Sequence, residues 1–367
     1  MKIALVVPGG VDRSGERRVI PALLALIERL ADVHEVHVFA LAQEPKPASW
    51  MLAGATIHNI GGRWRVPRTI CAIEAEHRRG SIHLVQAIFS GACGLVCVLA
   101  ARRLRVPAAV HVTGGEVVAI PEVGYGAQLS WRWRFIEPRV LRAATQVTGS
   151  SACVVDAVKA FGVPAARVPL GVGLREWPVR PPVARAPGVR ARLLHVASLN
   201  RVKDQDTLLH AIKRVADAGI DFHLDVVGED TLGGQVQSLA DQLGLESHMK
   251  FHGFLTQREL RPLMETAHVH VFSSRHEAGP FVLLEAAIAG VPTVATRVGH
   301  VAEWPAEAVI AVDIADARGL AAGILRLLHD EELRLRMARA AQQLALAENA
   351  DHTASCFLQL HEMLGAN

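Results

Sequence analysis

The stretch from Ser273 to Trp304, SSRHEAGPFVLLEAAIAGVPTVATRVGHVAEW, decides how the rest of the chain is read. It divides into a loop, a helix, a turn and a strand. Gly279-Pro280 open the helix in the favoured order, because proline has no N–H to leave unpaired in a first turn. Gly290 ends it, and Val291-Pro292 blocks continuation before the strand TVAT. The helix FVLLEAAIA is apolar on every side except at Glu285. A helix apolar all round is buried, and a buried carboxylate must find hydrogen-bond donors or be costly. Hydroxyl groups of a ligand are one source of donors; a neighbouring arginine is another. A helix start also suits phosphate. The segment therefore describes a site for a hydroxyl-rich, phosphorylated group, with Glu277 and Glu285 as its acidic side chains.

Outward from this stretch, apolar strands and amphipathic helices alternate. KIALVVP runs into Gly9-Gly10, the helix VIPALLALIERLAD follows, and HEVHVFAL, IHLVQA, the helix Gly91 to Leu104 and PAAVHVTGG continue the rhythm. AATQVTGSS and ARVPLGVG add short strands. PVRPPVARAPGVR, from Pro178 to Arg190, has no hydrophobic period and reads as a linker or hinge. The alternation then restarts with RLLHVASL, DTLLHAIKRVADAG, DFHLDVVGE, MKFHGFL, HVHVFSS and VPTVATRV. This predicts an α/β protein of two Rossmann-like, doubly wound domains. Residues 1–175 form the first, 176–190 the linker and 191–345 the second, with a terminal helix over 346–367. Ligands of such a protein are expected in the cleft between the domains, at the carboxyl ends of the strands.

Composition bounds the function. At 367 residues the chain fits two domains of roughly 150–200 residues. It is 50% hydrophobic and 20% charged, which excludes a disordered chain. The net charge of +3 hides an asymmetry: residues 1–175 carry 21 Lys+Arg against 12 Asp+Glu. A basic first half suits an anionic acceptor or membrane leaflet, or is a set of solvated arginine-rich helices. WRWRF, from Trp131 to Phe135, fits a membrane interface, an acceptor sugar or plain helix packing. The five cysteines include no CxxC pair, which favours a reducing compartment, and Cys93 and Cys97 read as small core residues. KIALVV reads as a strand rather than a leader, and the apolar run Leu84 to Ala101 as strand plus helix rather than a membrane span. A cytoplasmic protein is expected, and no Walker loop or basic-aromatic stripe points to nucleic acid.

Glu277-x7-Glu285 followed by AxxxGVPxVATxVG resembles the donor-binding signature of retaining GT-B glycosyltransferases, family-4 type (glycosyl transferases group 1). The resemblance implies the GT-B fold, with the terminal helix crossing back to an acceptor-binding first domain. It implies transfer of a sugar from a UDP- or GDP-sugar to an acceptor hydroxyl, with retained configuration and with no metal or other cofactor. The acceptor would be a saccharide, a lipid-linked saccharide or a small-molecule glycoside, leaving room for contact with the inner membrane face. A GT-B sugar-nucleotide epimerase and a non-catalytic nucleotide-sugar-binding partner are the alternatives.

The roles carry over residue by residue. Lys203 matches the lysine that meets the diphosphate. The family's arginine five positions earlier is Ser198 here, with Arg201 in the same loop as a substitute charge. Glu277 would reach the transferred sugar, and the backbone around Gly279, Pro280 and Phe281 would meet sugar or phosphate. Glu285 would take the ribose hydroxyls. Gly228, Gly253 and Phe254 align with the loops around the base; each also reads as an ordinary strand-to-helix turn. Gly9 and Gly10, with Asp12 and Arg13 after them, match a loop near diphosphate and acceptor, and read equally as a tight turn. A family histidine near the donor sugar falls on Thr113; His111, two residues earlier, is either its substitute or a core or strand-end histidine. Asp204-Gln205-Asp206 spells a metal motif of another glycosyltransferase class, but its place before a helix favours capping.

Overall fold

In the computed structural model, which describes residues 1–365, the opening KIALVV forms β1 (Lys2–Val7), buried along its whole length. Such a run suits the centre of a parallel sheet covered on both faces. The chain continues through α1 (Pro21–Ala31), β2 (Glu35–Ala40), β3 (Ala48–Leu52), β4 (Ala55–Asn59), α2 (Arg65–Arg79) and β5 (Leu84–Ile88). Next come α3 (Gly91–Leu104), β6 (Ala108–Val112), α4 (Trp131–Ala143), β7 (Gln146–Gly149), α5 (Ala152–Lys159) and β8 (Ala166–Arg167). The strands lie in the order β3-β4-β2-β1-β5-β6-β7-β8, parallel except for the edge pair β3–β4. The order reverses between β1 and β5.

A second sheet begins with β9 (Ala191–Val196), α6 (Gln205–Asp217), β10 (Phe222–Val227), α7 (Gln235–Gln242), β11 (Met249–Gly253) and α8 (Gln257–Thr266). It continues with β12 (Val269–Phe272), α9 (Phe281–Ile288), β13 (Thr293–Thr296), β14 (Val309–Val312), α10 (Ala317–His329) and α11 (Glu331–Ala347). Its order, β11-β10-β9-β12-β13-β14, is parallel throughout and reverses between β9 and β12. Leu193, Leu208, Ile212, Leu224, Val269 and Ile324 lie in its core.

The chain divides into two compact units, Leu174–Ala347 and the remainder. The first unit is therefore discontinuous: residues 1–173 are joined by the segment from Glu348 onward, which carries α12 (Ala350–Gly365). Phe357 of α12 is fully buried, His361 donates to Gln86 Oε1 at 2.7 Å, and Thr353 bonds the Pro169 carbonyl and the Gly171 amide, both at 2.8 Å. Arg167 grips Glu348 through two bonds, of 2.6 and 2.9 Å.

The proline-rich segment expected as a linker over 176–190 is tied down on the second unit instead. Arg180 N–H donates to the Ile288 carbonyl at 3.0 Å and Arg185 N–H to Glu331 Oε1 at 2.7 Å. The buried Arg334 donates to the Val183 carbonyl at 2.6 Å and the His268 carbonyl at 3.1 Å while held by Glu331. Proline-rich backbone lacks ladder partners of its own, and here the body of the unit supplies them. No helix among the described residues is long and apolar enough to cross a membrane.

Candidate functional site

In the second unit the expected site residues fall at the carboxyl ends of four neighbouring strands, β11, β10, β9 and β12, on their loops or, for Phe281 and Glu285, in the helix that follows β12. Open parallel sheets bind ligands there, above all where the strand order reverses. The loops after β9 and β12 flank that reversal, and they carry Lys203 and Glu277.

These two loops are sewn together. Ser273 Oγ donates to the Lys203 carbonyl at 3.0 Å and the Asp204 carbonyl at 2.7 Å, and Arg275 N–H to the Val202 carbonyl at 2.8 Å. Lys203 Nζ then meets Glu277 Oε1 at 2.5 Å, with Ser274 Oγ donating to the same oxygen at 2.6 Å. Both side chains remain partly accessible, Lys203 at 24% and Glu277 at 13%, so a ligand can share them. Asp204 caps α6, accepting from Thr207 N–H at 3.4 Å and Thr207 Oγ1 at 2.9 Å, and pairs with Arg275 at 3.0 Å. Ser198 and Arg201 are exposed in the same loop, and the Ser198 carbonyl is held by Gln205 Nε2 at 3.2 Å.

Glu285 lies inside α9 with 5% exposure. Its Oε1 accepts from Gln257 Nε2 at 2.9 Å, and Gln257 Oε1 in turn accepts the indole N–H of the buried Trp177. Burial pushes the Glu285 carboxyl up to about 7, with the Gln257 bond opposing. Pro280 is the N-cap of α9 and Phe281 its first residue. Gly279 has a packing reason for lacking a side chain, since a Cβ there would come 3.0 Å from the His300 ring.

Gly228 is also required by the backbone. Its φ is +149°, and a Cβ would lie 1.9 Å from the Ala197 carbonyl oxygen. Gly253 adopts φ +70° in open space, and Phe254 beside it is 53% exposed.

The first-unit expectations fare differently. Gly9 and Gly10 close a turn: Gly10 has φ +80°, a Cβ there would meet Ile20 at 2.6 Å, and Ile20 N–H donates to the Gly10 carbonyl at 3.0 Å. Asp12 is engaged by Arg18 and Ser14, and Arg13 by Glu44 through two 3.0 Å bonds. His111 must be corrected. It has no exposed surface, its Nδ1 bonds Thr148 Oγ1 at 2.8 Å, and its ring meets the edge of Phe357 with centroids 5.3 Å apart. Burial pushes it down to about 3, so it is a neutral core residue. Thr113 is only partly buried. Trp131 and Phe135 of α4 are 74% and 58% exposed, with Arg139 over the Phe135 ring at 3.3 Å. Cys93 and Cys97 are buried, and burial holds the Cys97 thiol up to about 12. His37, His58 and Glu76 come together as potential metal ligands, but the Lys2 ammonium already sits 2.7 Å from Glu76 Oε1.

Sequence reasoning missed Gln257, Trp177 and His195. Thr256-x-x-Glu259 is a capping box, which sets Gln257 at the first position of α8 directly after the Gly253-Phe254 loop. Nothing local marked Trp177. His195, at the end of β9, is fully buried between the Val271 carbonyl, 2.9 Å from Nδ1, and Gln205, so it props the Lys203 loop from beneath.

Comparison with known proteins places this architecture. Residues 182–344 match the profile "Glycosyl transferases group 1" and residues 19–173 the "Glycosyl transferase 4-like domain". A sucrose-phosphate synthase from Thermosynechococcus elongatus aligns over 100% of both chains, with a TM-score of 0.83 at 20% identity. HepE of Anabaena, solved in complex with UDP, aligns over 99% of this chain and 100% of its own, with a TM-score of 0.77 at 18% identity. The two parallel-sheet α/β units are those of the GT-B fold. The chain belongs to the group 1 glycosyltransferases. Among curated relatives, glycogen synthase of Mycobacterium tuberculosis is 29% identical over 222 residues, covering 59% of this chain and 53% of its own length. The lipopolysaccharide core glycosyltransferase LpsE of Rhizobium meliloti is 30% identical over 158 residues, 42% of this chain and 44% of its own. The alignments thus span about half the length of these relatives.

Proposed function

We propose that this chain moves a sugar from a nucleotide-diphosphate donor to an acceptor hydroxyl, with retained anomeric configuration and without a metal ion. The observation that carries the reading is the meeting of Lys203 and Glu277 across the strand-order reversal, with Glu285 inside the following helix. A hydroxyl-rich donor supplies the hydrogen bonds that Glu285 lacks, and ribose is the part of a nucleotide sugar with adjacent hydroxyls. Glu277 takes hydroxyls of the transferred sugar. Lys203, standing just before the start of α6, neutralises the departing diphosphate, with Arg201 near enough in sequence to assist. Asp204 is engaged in capping α6 and pairing with Arg275, so the positive charge of this loop comes from Lys203 and Arg201. The leaving phosphate oxygen accepts the acceptor's proton on the face it vacates, so the bond to the sugar reforms on the same side and no protein nucleophile is needed.

The relatives support a saccharide as acceptor, since their names concern glycogen and lipopolysaccharide core, and HepE was also solved with UDP-glucose. UDP-glucose is accordingly the first donor to test. Calorimetric titration should show UDP binding, and Lys203→Ala should lower kcat by about 10²–10³-fold. NMR of the product settles the stereochemistry: an inverted anomer, or a Lys203→Ala enzyme as fast as wild type, overturns the reading.

A further inference from the structure

The first unit has a cavity of 560 Å³ at the carboxyl ends of β1, β2, β5 and β6, lined by Pro8, Phe89, Ser90, Gly91, Glu116 and Tyr125 among others. It sits where the order of the first sheet reverses, and α3 starts beside it. A helix start in that position is ordinarily a seat for phosphate. Here protein carboxylates occupy it. Ser90 N–H donates to Glu116 Oε1 at 3.1 Å, and Gly91 N–H to Glu137 Oε2 at 3.2 Å. Glu137 comes from α4 and is fully buried.

Resting on the glycosyltransferase reading, we propose that this cavity takes the acceptor and that Glu116 makes it select an uncharged, hydroxyl-bearing group over a phosphorylated or carboxylated one. Three observations carry this. First, the amides that would hold an anion are already bonded to protein carboxyls, and an added anion would meet the Glu116 carboxyl in the lining, with Glu137 behind it. Second, Glu116 Oε2 is inaccessible to water and makes no well-formed hydrogen bond, so a small shift toward a hydroxyl donor satisfies it. Third, Gly91 leaves room, with φ +58° and nothing within 4 Å of the place a Cβ would take. Burial pushes the Glu137 carboxyl up to about 7, opposed by the Ser90 hydroxyl and Gly91 amide and reinforced by Glu116. Burial raises Glu116 as well, against several backbone amides. Arg65 is the opposing charge among the lining residues, but it is exposed and its Nε is bonded to the Gly62 carbonyl at 3.1 Å. Water screens it in a way that it does not screen the buried carboxyls.

The test measures nucleotide release from UDP-glucose and GDP-mannose with neutral acceptors (methyl glucosides, mannose, myo-inositol) and with glucose 6-phosphate and mannose 6-phosphate, alongside UDP binding. Neutral acceptors should stimulate the wild type more than phosphate esters do. Glu116→Ala should raise the KM for a neutral acceptor about tenfold, the loss of one charged hydrogen bond, while leaving the Kd for UDP unchanged. Glu116→Gln, which keeps the shape and removes the charge, should narrow the gap between neutral and phosphorylated acceptors. Preference for phosphate esters, or unchanged acceptor KM in both variants, overturns the proposal while the donor site stands. Absence of UDP binding and of turnover with any acceptor sinks the glycosyltransferase reading, and this inference with it.

Discussion

Glu285 shows how much one side chain can settle. Its carboxyl is pushed up to about 7 against an ordinary 4.5, so the native state binds more protons than the unfolded chain between those values. Its stabilising effect is full below pH 4.5 and is lost as pH rises through 7, at a cost on the order of 3 kcal/mol. Ribose hydroxyls bonding the carboxylate favour the charged form, so nucleotide binding should release a proton and tighten as pH rises from 5 to 7. Titration of UDP in two buffers of different ionisation heat measures that proton. Glu285→Gln should flatten both the affinity profile and the fall of Tm over the same range; a profile unchanged by the substitution removes Glu285 from the ribose. The places of Lys203, Glu277 and Glu285 could be read in the sequence because their neighbours spell strand end and helix start, while the roles expected of Lys203 and Glu277 came from the family resemblance. Gln257 and Trp177 could not, because they reach Glu285 only through the folding of β9 to β12. The choice between a catalytic and a core His111 stayed open for a related reason. Alternation along β6 tells which residues share a face, but the cover on that face, Phe357, comes from 246 positions later in the chain.

Among elements, the apolar central strands and the helices between them were readable because each carries a period or a stop signal. The edge pair β3 and β4 was not, since β3, ASWML, is apolar at four of five positions without strict alternation and has no fully buried residue. The segment 176–190 shows the limit of composition: prolines rule out a helix or ladder but say nothing of packing, and Arg334 and Glu331 fasten this stretch to the second unit. The glycines divide in the same way. Gly228 stands where two backbones meet, so Gly228→Ala forces the ends of β9 and β10 apart. That substitution should lower stability by several kcal/mol, about 3 or more, and thermal denaturation of the purified variant checks it. A Tm within a degree or so of wild type would mean that the loop yields freely. Gly253 has no such neighbour, and the same change there should cost only the strain of its positive φ, roughly 1 kcal/mol.

For the whole molecule, the division into units matters more than the number of strands. The second unit is inserted into the first, which is completed only by α12. Phe357 fills the space against His111, and His361 meets the otherwise buried Gln86. Phe357→Ala should therefore destabilise the first unit by about 3–5 kcal/mol. In a calorimetric scan with saturating UDP, which protects only what binds it, the transition of the first unit should move down while the nucleotide-protected one holds. A uniform shift of both would show that the units do not melt separately.

A chain threaded in this way has a consequence for its birth. A ribosome finishes the inserted unit, through Ala347, while the earlier one still lacks its closing segment. Until α12 emerges, Gln86 and His111 face the surroundings through an open side, and the nascent sheet offers an apolar slot to any passing helix. The first unit is thus closed only after the second has been made, and its safe arrival depends on α12.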